Sequence, residues 1–201
     1  MVTLTPIQIA IGVAVLVVVV AVLYFAMQRR RTALLRDRFG SEYDRTVKTA
    51  GEARLAEAQL AEREKRVAKF DIKPLDPALR DQFVERWQTV QSQFVDDPRG
   101  AVGSGDTLLS EVMQARGYPV ADFEQRAADL SVDHGAVVQN YRTAHDIALR
   151  HARGEASTED LRQAMIHYRA LFEELTGDAT EKAKADAVAA EAERKLETNH
   201  G

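Results

Sequence analysis

The first 28 residues contain no charged side chain. Ile9 to Met27, reading IAIGVAVLVVVVAVLYFAM, holds nothing more polar than Gly12 and Tyr24. As helix it would extend about 28 Å at 1.5 Å per residue, against a hydrocarbon core of roughly 30 Å. Valine-rich runs favour strand in water, but a lone segment in lipid must satisfy its own backbone, which only a helix does. A cleaved signal peptide would open on basic residues, carry a shorter apolar core and end in small residues. Here Met1–Gln8 has no Lys or Arg, and the run ends in FAMQRRR. The pattern predicts an uncleaved transmembrane anchor over 1–28, with Tyr24 and Phe25 at the membrane interface.

Arg29, Arg30, Arg31, Arg36 and Arg38 follow at once, opposed only by Asp37. This basic collar, 29–40, predicts by the positive-inside rule an N-terminus outside and a body in the cytoplasm of a single-pass cell-membrane protein. The absence of cysteine agrees with a reducing compartment and excludes disulfides, cysteine-ligated metals and a cysteine nucleophile. Beyond the collar, 22 basic and 30 acidic residues leave residues 39–201 at a net charge of −8. Anionic lipid should therefore attract the collar alone, and nucleic acid is disfavoured as a partner.

The body reads as all-α: a long juxtamembrane helix, then a bundle of about five short helices. From Glu42 to Lys69 there is no proline and one glycine, Gly51. Ser41 with Asp44 resembles a capping box. Apolar positions at Tyr43, Val47, Ala50, Leu60 and Val67 recur near every 3.5 residues, with Glu57 and Glu64 interrupting the stripe. The spacing predicts one long helix over 41–70, serving as a stalk, a strand of a weak coiled coil and homo-oligomer, or a helix laid on the bundle.

Residues 71–177 form the expected bundle. Asp76-Pro77 and Asp97-Pro98 each pair an N-cap with proline at the first helical position. Leu79, Phe83, Trp87, Val90 and Phe94 share one helix face; Leu161, Met165, Tyr168, Phe172 and Leu175 share another. Gly117 and Gly154 read as helix stops, Asp133 as a cap, and Ser157 with Asp160 as a capping box. Residues 178–201 carry only Val188 and Leu196 as large apolar side chains and should be a frayed helix or disordered.

No constellation for chemistry emerges. Gly100-Ala-Val-Gly103-Ser-Gly105 lacks the Gly-Lys-Ser/Thr ending and the preceding strand of a phosphate-binding loop, so it reads as a glycine-weakened helix start. His134, His145, His151, His167 and His200 form no H-E-x-x-H pair and no di-iron carboxylate–histidine pair. No catalytic, cofactor-binding or metal-ligating residues are assigned, and the chain is expected not to be an enzyme.

Four runs carry a resemblance: RDRFGSEYDRTV at Arg36–Val47, FVDDP at Phe94–Pro98, GYPVADFEQRAADLSVDH at Gly117–His134 and GEASTEDLRQAMIHYRALF at Gly154–Phe172. The chain resembles a family of bacterial single-pass membrane-anchored proteins with a helical cytoplasmic domain and no assigned function. That resemblance implies a shared domain and carries no functional residues with it. The expected function is a protein–protein interaction or scaffold module at the cytoplasmic membrane face, with the bilayer and an unidentified protein as partners. The alternative is a membrane-tethered sensor with a small-molecule pocket inside the bundle. An exposed apolar patch of several hundred Å² would favour the first, and a pocket near 300 Å³ with convergent polar groups the second.

Overall fold

A computed structural model describes residues 6–177, with side chains from Val15 onward except Val17. Every element is helical: α1 (Pro6–Phe39), α2 (Ser41–Ala50), α3 (Ala53–Val67), α4 (Pro77–Gln93), α5 (Pro98–Ala115), α6 (Phe123–Asp133), α7 (Gly135–Ala152) and α8 (158–177). No strand occurs among the described residues. The tail at 178–201, with His200, lies outside them.

The chain divides into two units, Met1–Leu60 and Ala61–Gly201. In the first, α1 runs without interruption from the apolar segment through the arginine collar. Among the described residues no helix is long and apolar enough to cross a membrane. The anchor expected over 1–28 lies partly outside that description, which includes twelve of the nineteen side chains from Ile9 to Met27.

The expected single helix over 41–70 is instead two. Gly51 takes φ +78°, caps α2 in the left-handed region and ends it by donating its N–H to the Val47 carbonyl. Glycine adopts that conformation without the penalty that a Cβ incurs. The capping box at Ser41 does not form either: Gly40, at φ +53°, is the N-cap, and no side chain caps α2.

The interrupted stripe also has a different meaning. Glu57 is buried, and its carboxylate accepts hydrogen bonds from the Thr32 hydroxyl at 2.6 Å and the Tyr43 hydroxyl at 3.2 Å. A residue expected to face a second copy is satisfied inside its own chain, between α1, α2 and α3.

In the second unit five helices, α4 to α8, build the bundle as expected. Asp76, Asp97 and Asp122 each cap a helix through a side-chain acceptor, on Ala78, Gly100 and Gln125 amides. Ser157 and Asp160 form the reciprocal box, with Ser157 N–H donating to Asp160 and Asp160 N–H to the Ser157 hydroxyl. At α7 the cap is His134 rather than Asp133, and its side chain does not cap the helix amides. Phe83, Trp87 and Val90 are buried on α4, while Leu79 at the helix start is exposed. Trp87 stacks on Phe172, with centroids 4.8 Å apart and planes 16° from parallel. Gly105 is buried on α5 against this core: a Cβ there would meet the Tyr168 ring at 3.4 Å and the Trp87 ring at 3.8 Å, ordinary packing distances. Arg66 pairs with the buried Asp129, which ties the end of α3 to α6 within this unit.

Candidate functional site

Asp106 is the charged residue on the inward stripe of α5, four residues after Val102 and three before Leu109. An acid on an apolar stripe must find partners or water. Those partners are loose. The Tyr141 hydroxyl donates to its Oδ1 at 3.4 Å, and Arg126 Nη2 stands 3.8 Å from Oδ2. Arg126 is itself held by a hydrogen bond to the Ser110 hydroxyl.

A cleft of about 280 Å³ opens beside this carboxylate, lined by Arg99 and Asp106 of α5, His145 and His151 of α7, and Leu161 and Tyr168 of α8. The buried Tyr168 hydroxyl lies near Asp106 but makes no well-formed hydrogen bond among the described residues. Burial and the nearby Asp106 charge raise the pKa values of Tyr168 and Tyr141 far above the usual phenol range. Both therefore stay protonated at neutral pH and act as donors. His145 stacks flat on Phe123 at 3.5 Å between centroids, and desolvation lowers its pKa although Asp106, Asp146 and Glu124 pull the other way. At neutral pH the cleft thus presents a carboxylate, a neutral His145 imidazole and the Arg99 guanidinium beside the Tyr168 ring. That set can orient a small polar molecule. It contains no nucleophile hydrogen-bonded to a base that is in turn oriented by a third group, the arrangement covalent catalysis needs.

The remaining bundle histidines are locally bonded: His134 Nδ1 to Glu174 at 2.9 Å, His167 to Asn140 at 3.2 Å, and His151 to the Ala156 carbonyl at 3.3 Å. Among the described residues no group of three His, Asp or Glu side chains could hold a metal ion. The Gly100–Gly105 stretch is helical, as expected, and Gly103 borders the cleft with open space where a Cβ would stand.

All five collar arginines are exposed on α1. Arg36 lies over the Tyr43 ring, 5.0 Å from its centroid. Tyr24 and Phe25 meet edge to face at 5.9 Å. The sequence does not single out this grouping: Tyr168 sits on an apolar stripe and reads as core, and His145 and His151 belong to no recognised pair. The signal that could have found the site is Asp106, an acid at an inward position between Val102 and Leu109.

No family model, curated protein or solved structure matches the chain.

Proposed function

We propose that the chain is a membrane-anchored helical binding module, with its body at the cytoplasmic face and a small polar ligand held in the α5–α7–α8 cleft. The anchoring half draws support from α1. Every described large apolar side chain from Val15 to Met27 is 47–72% exposed, on all faces of the helix. A helix segment apolar all round that no described residue covers suits lipid rather than water. The collar then orients it, and the resemblance to membrane-anchored bacterial proteins points the same way.

The observation that carries the binding half is the loosely held Asp106 carboxylate, which lines one cleft together with Arg99, His145 and Tyr168. Few polar groups converging in a mostly apolar recess are the usual makings of a small-molecule site. The exposed apolar residues of the bundle, by contrast, are mostly scattered.

One feature favours a protein partner as a second reading. Phe94, Met165 and Ile166 floor a shallow groove of about 190 Å³ between Arg162 and Arg169. Such a polar-rimmed apolar surface suits a partner helix.

The test uses the full chain purified from membranes in detergent. Extraction and mass spectrometry should reveal a small molecule that the wild type retains and that Asp106→Ala and Gly103→Leu both lose. Gly103→Leu fills the cleft mouth from a position with free space. Absence of any such compound, together with a protein crosslinked at Ile166, would replace the ligand reading with the scaffold one. An alkaline wash and a C-terminal reporter test anchoring and orientation separately. Release by the wash, or a reporter active outside the cell, contradicts that half.

A further inference from the structure

A second recess lies at the polar end of the apolar segment. It measures about 270 Å³ and is lined by Tyr24, Gln28 and Arg31 of α1 and by Arg54, Glu57 and Ala58 of α3. Spacings of four and three place the α1 residues on one helix face. Arg54 comes from the first turn of α3, which the Glu57–Thr32 hydrogen bond holds against α1. Arg31 and Arg54 form no ion pair or hydrogen bond with any described residue. The one carboxylate in the lining, Glu57, is occupied by the Thr32 and Tyr43 hydroxyls. Two guanidinium groups therefore share one recess without an anion in contact with either.

We infer that Arg31 and Arg54 bind the phosphate of an anionic phospholipid headgroup. Guanidinium is the side chain best shaped for phosphate, because its planar fork donates two parallel hydrogen bonds. Gln28 adds a neutral donor. The depth also fits: Tyr24 stands in the last turn of the apolar run, which ends at Met27, and Arg31 stands seven residues beyond Tyr24, about 10.5 Å along the axis. The recess thus spans the aromatic interface and the layer where headgroup phosphates lie. This rests on the anchoring reading above, since only a chain embedded at that depth meets a headgroup. A net-negative lipid is favoured over a zwitterionic one because it brings no ammonium to oppose two arginines.

Native mass spectrometry of the full chain in an uncharged detergent tests the inference. The chain should retain one phosphatidylglycerol with about tenfold preference over phosphatidylcholine, as expected for charge-assisted hydrogen bonds. Arg31→Gln with Arg54→Gln should abolish that preference. Arg29→Gln with Arg30→Gln, which changes the net charge equally on other faces of α1, should keep it. If both double variants lose the preference, the collar attracts lipid diffusely and the site is wrong; if neither does, it is wrong as well. Should the first pair fail to fold, by loss of helical circular-dichroism signal against the wild type, Arg54→Gln alone provides the same comparison. Sodium phosphate at millimolar concentration displacing the lipid through Arg31 and Arg54 would assign the recess to a free phosphate and overturn the lipid source. Failure of anchoring is seen independently, as release of the chain by alkaline wash.

Discussion

Trp87 on α4 and Phe172 on α8 stack nearly face to face, 4.8 Å between centroids, and both are buried. Two helices thereby lock through one aromatic pair whose members stand 85 residues apart in sequence. Each ring cut to alanine should cost about 3–5 kcal/mol of unfolding free energy. The double substitution should fall short of additivity by about 0.5–1.5 kcal/mol, the usual coupling of an aromatic pair. Chemical denaturation of the full chain and its three variants measures all four corners. Additive losses would show that the stack contributes area and no specific contact.

Gly51 and Gly117 both have positive φ, at +78° and +99°, but their surroundings differ. At Gly51 a Cβ would meet nothing within 4 Å, so Gly51→Ala should cost only the left-handed strain, about 1–2 kcal/mol. At Gly117 the added carbon would stand 2.1 Å from the Asp71 carbonyl oxygen. Gly117→Ala must move the 71–76 linker and should cost clearly more than Gly51→Ala. Thermal unfolding of the two variants ranks them, and the reverse order would contradict the close packing of the linker on this turn.

Gly103 is the opposite case, a helical glycine with free space for a side chain and no left-handed backbone. Gly103→Ala should stabilise the chain by about 0.5–1 kcal/mol, by reducing the backbone freedom of the unfolded chain. A higher denaturation midpoint with an unchanged slope is the expected result.

Glu57→Ala should destabilise by about 1–3 kcal/mol, since it strands the Tyr43 and Thr32 hydroxyls that now donate to the carboxylate. The variant should also stay in the oligomeric state of the wild type, because the residue faces its own chain. Light scattering alongside denaturation checks both parts. A tighter dimer in Glu57→Ala would restore the coiled-coil reading.

Burial lowers the pKa of His145 below the ordinary imidazole value. Asp106, Asp146 and Glu124 oppose the shift, and Arg126 adds to it. The unfolded chain takes up the proton near pH 6.5 and the folded chain at lower pH. Stability is therefore full above about pH 6.5 and declines as pH falls toward the folded value. Unfolding midpoints between pH 7.5 and 5 should drop less steeply in His145→Gln than in the wild type. Equal slopes would mean that the imidazole is not desolvated by its place against Phe123.

The five bundle helices were legible in the sequence, because caps and periodicity are local. Asp76, Asp97 and Asp122 bond amides two or three residues away. The long helix over 41–70 was misread for the same reason in reverse. Helical periodicity continues on both sides of Gly51, with Ala, Glu, Arg and Leu after it, and neither pattern nor propensity says whether one glycine will turn left-handed. Glu57 looked like a flaw in a stripe because its partners come from 14 and 25 residues away.

What the chain's own order of residues determined is the all-α class, the uncharged segment, the charge step after it and most helix ends. These follow from periodicity, solvation and hydrogen bonds that close within one turn. Only the tertiary structure decided which polar residues face inward together. Asp106, Tyr141, Tyr168 and His145 meet because α5, α7 and α8 pack around them, and Arg31 shares a recess with Arg54 because α3 returns to α1. Such meetings depend on packing between distant elements, where a side chain's partner is set by geometry and not by its neighbours along the chain.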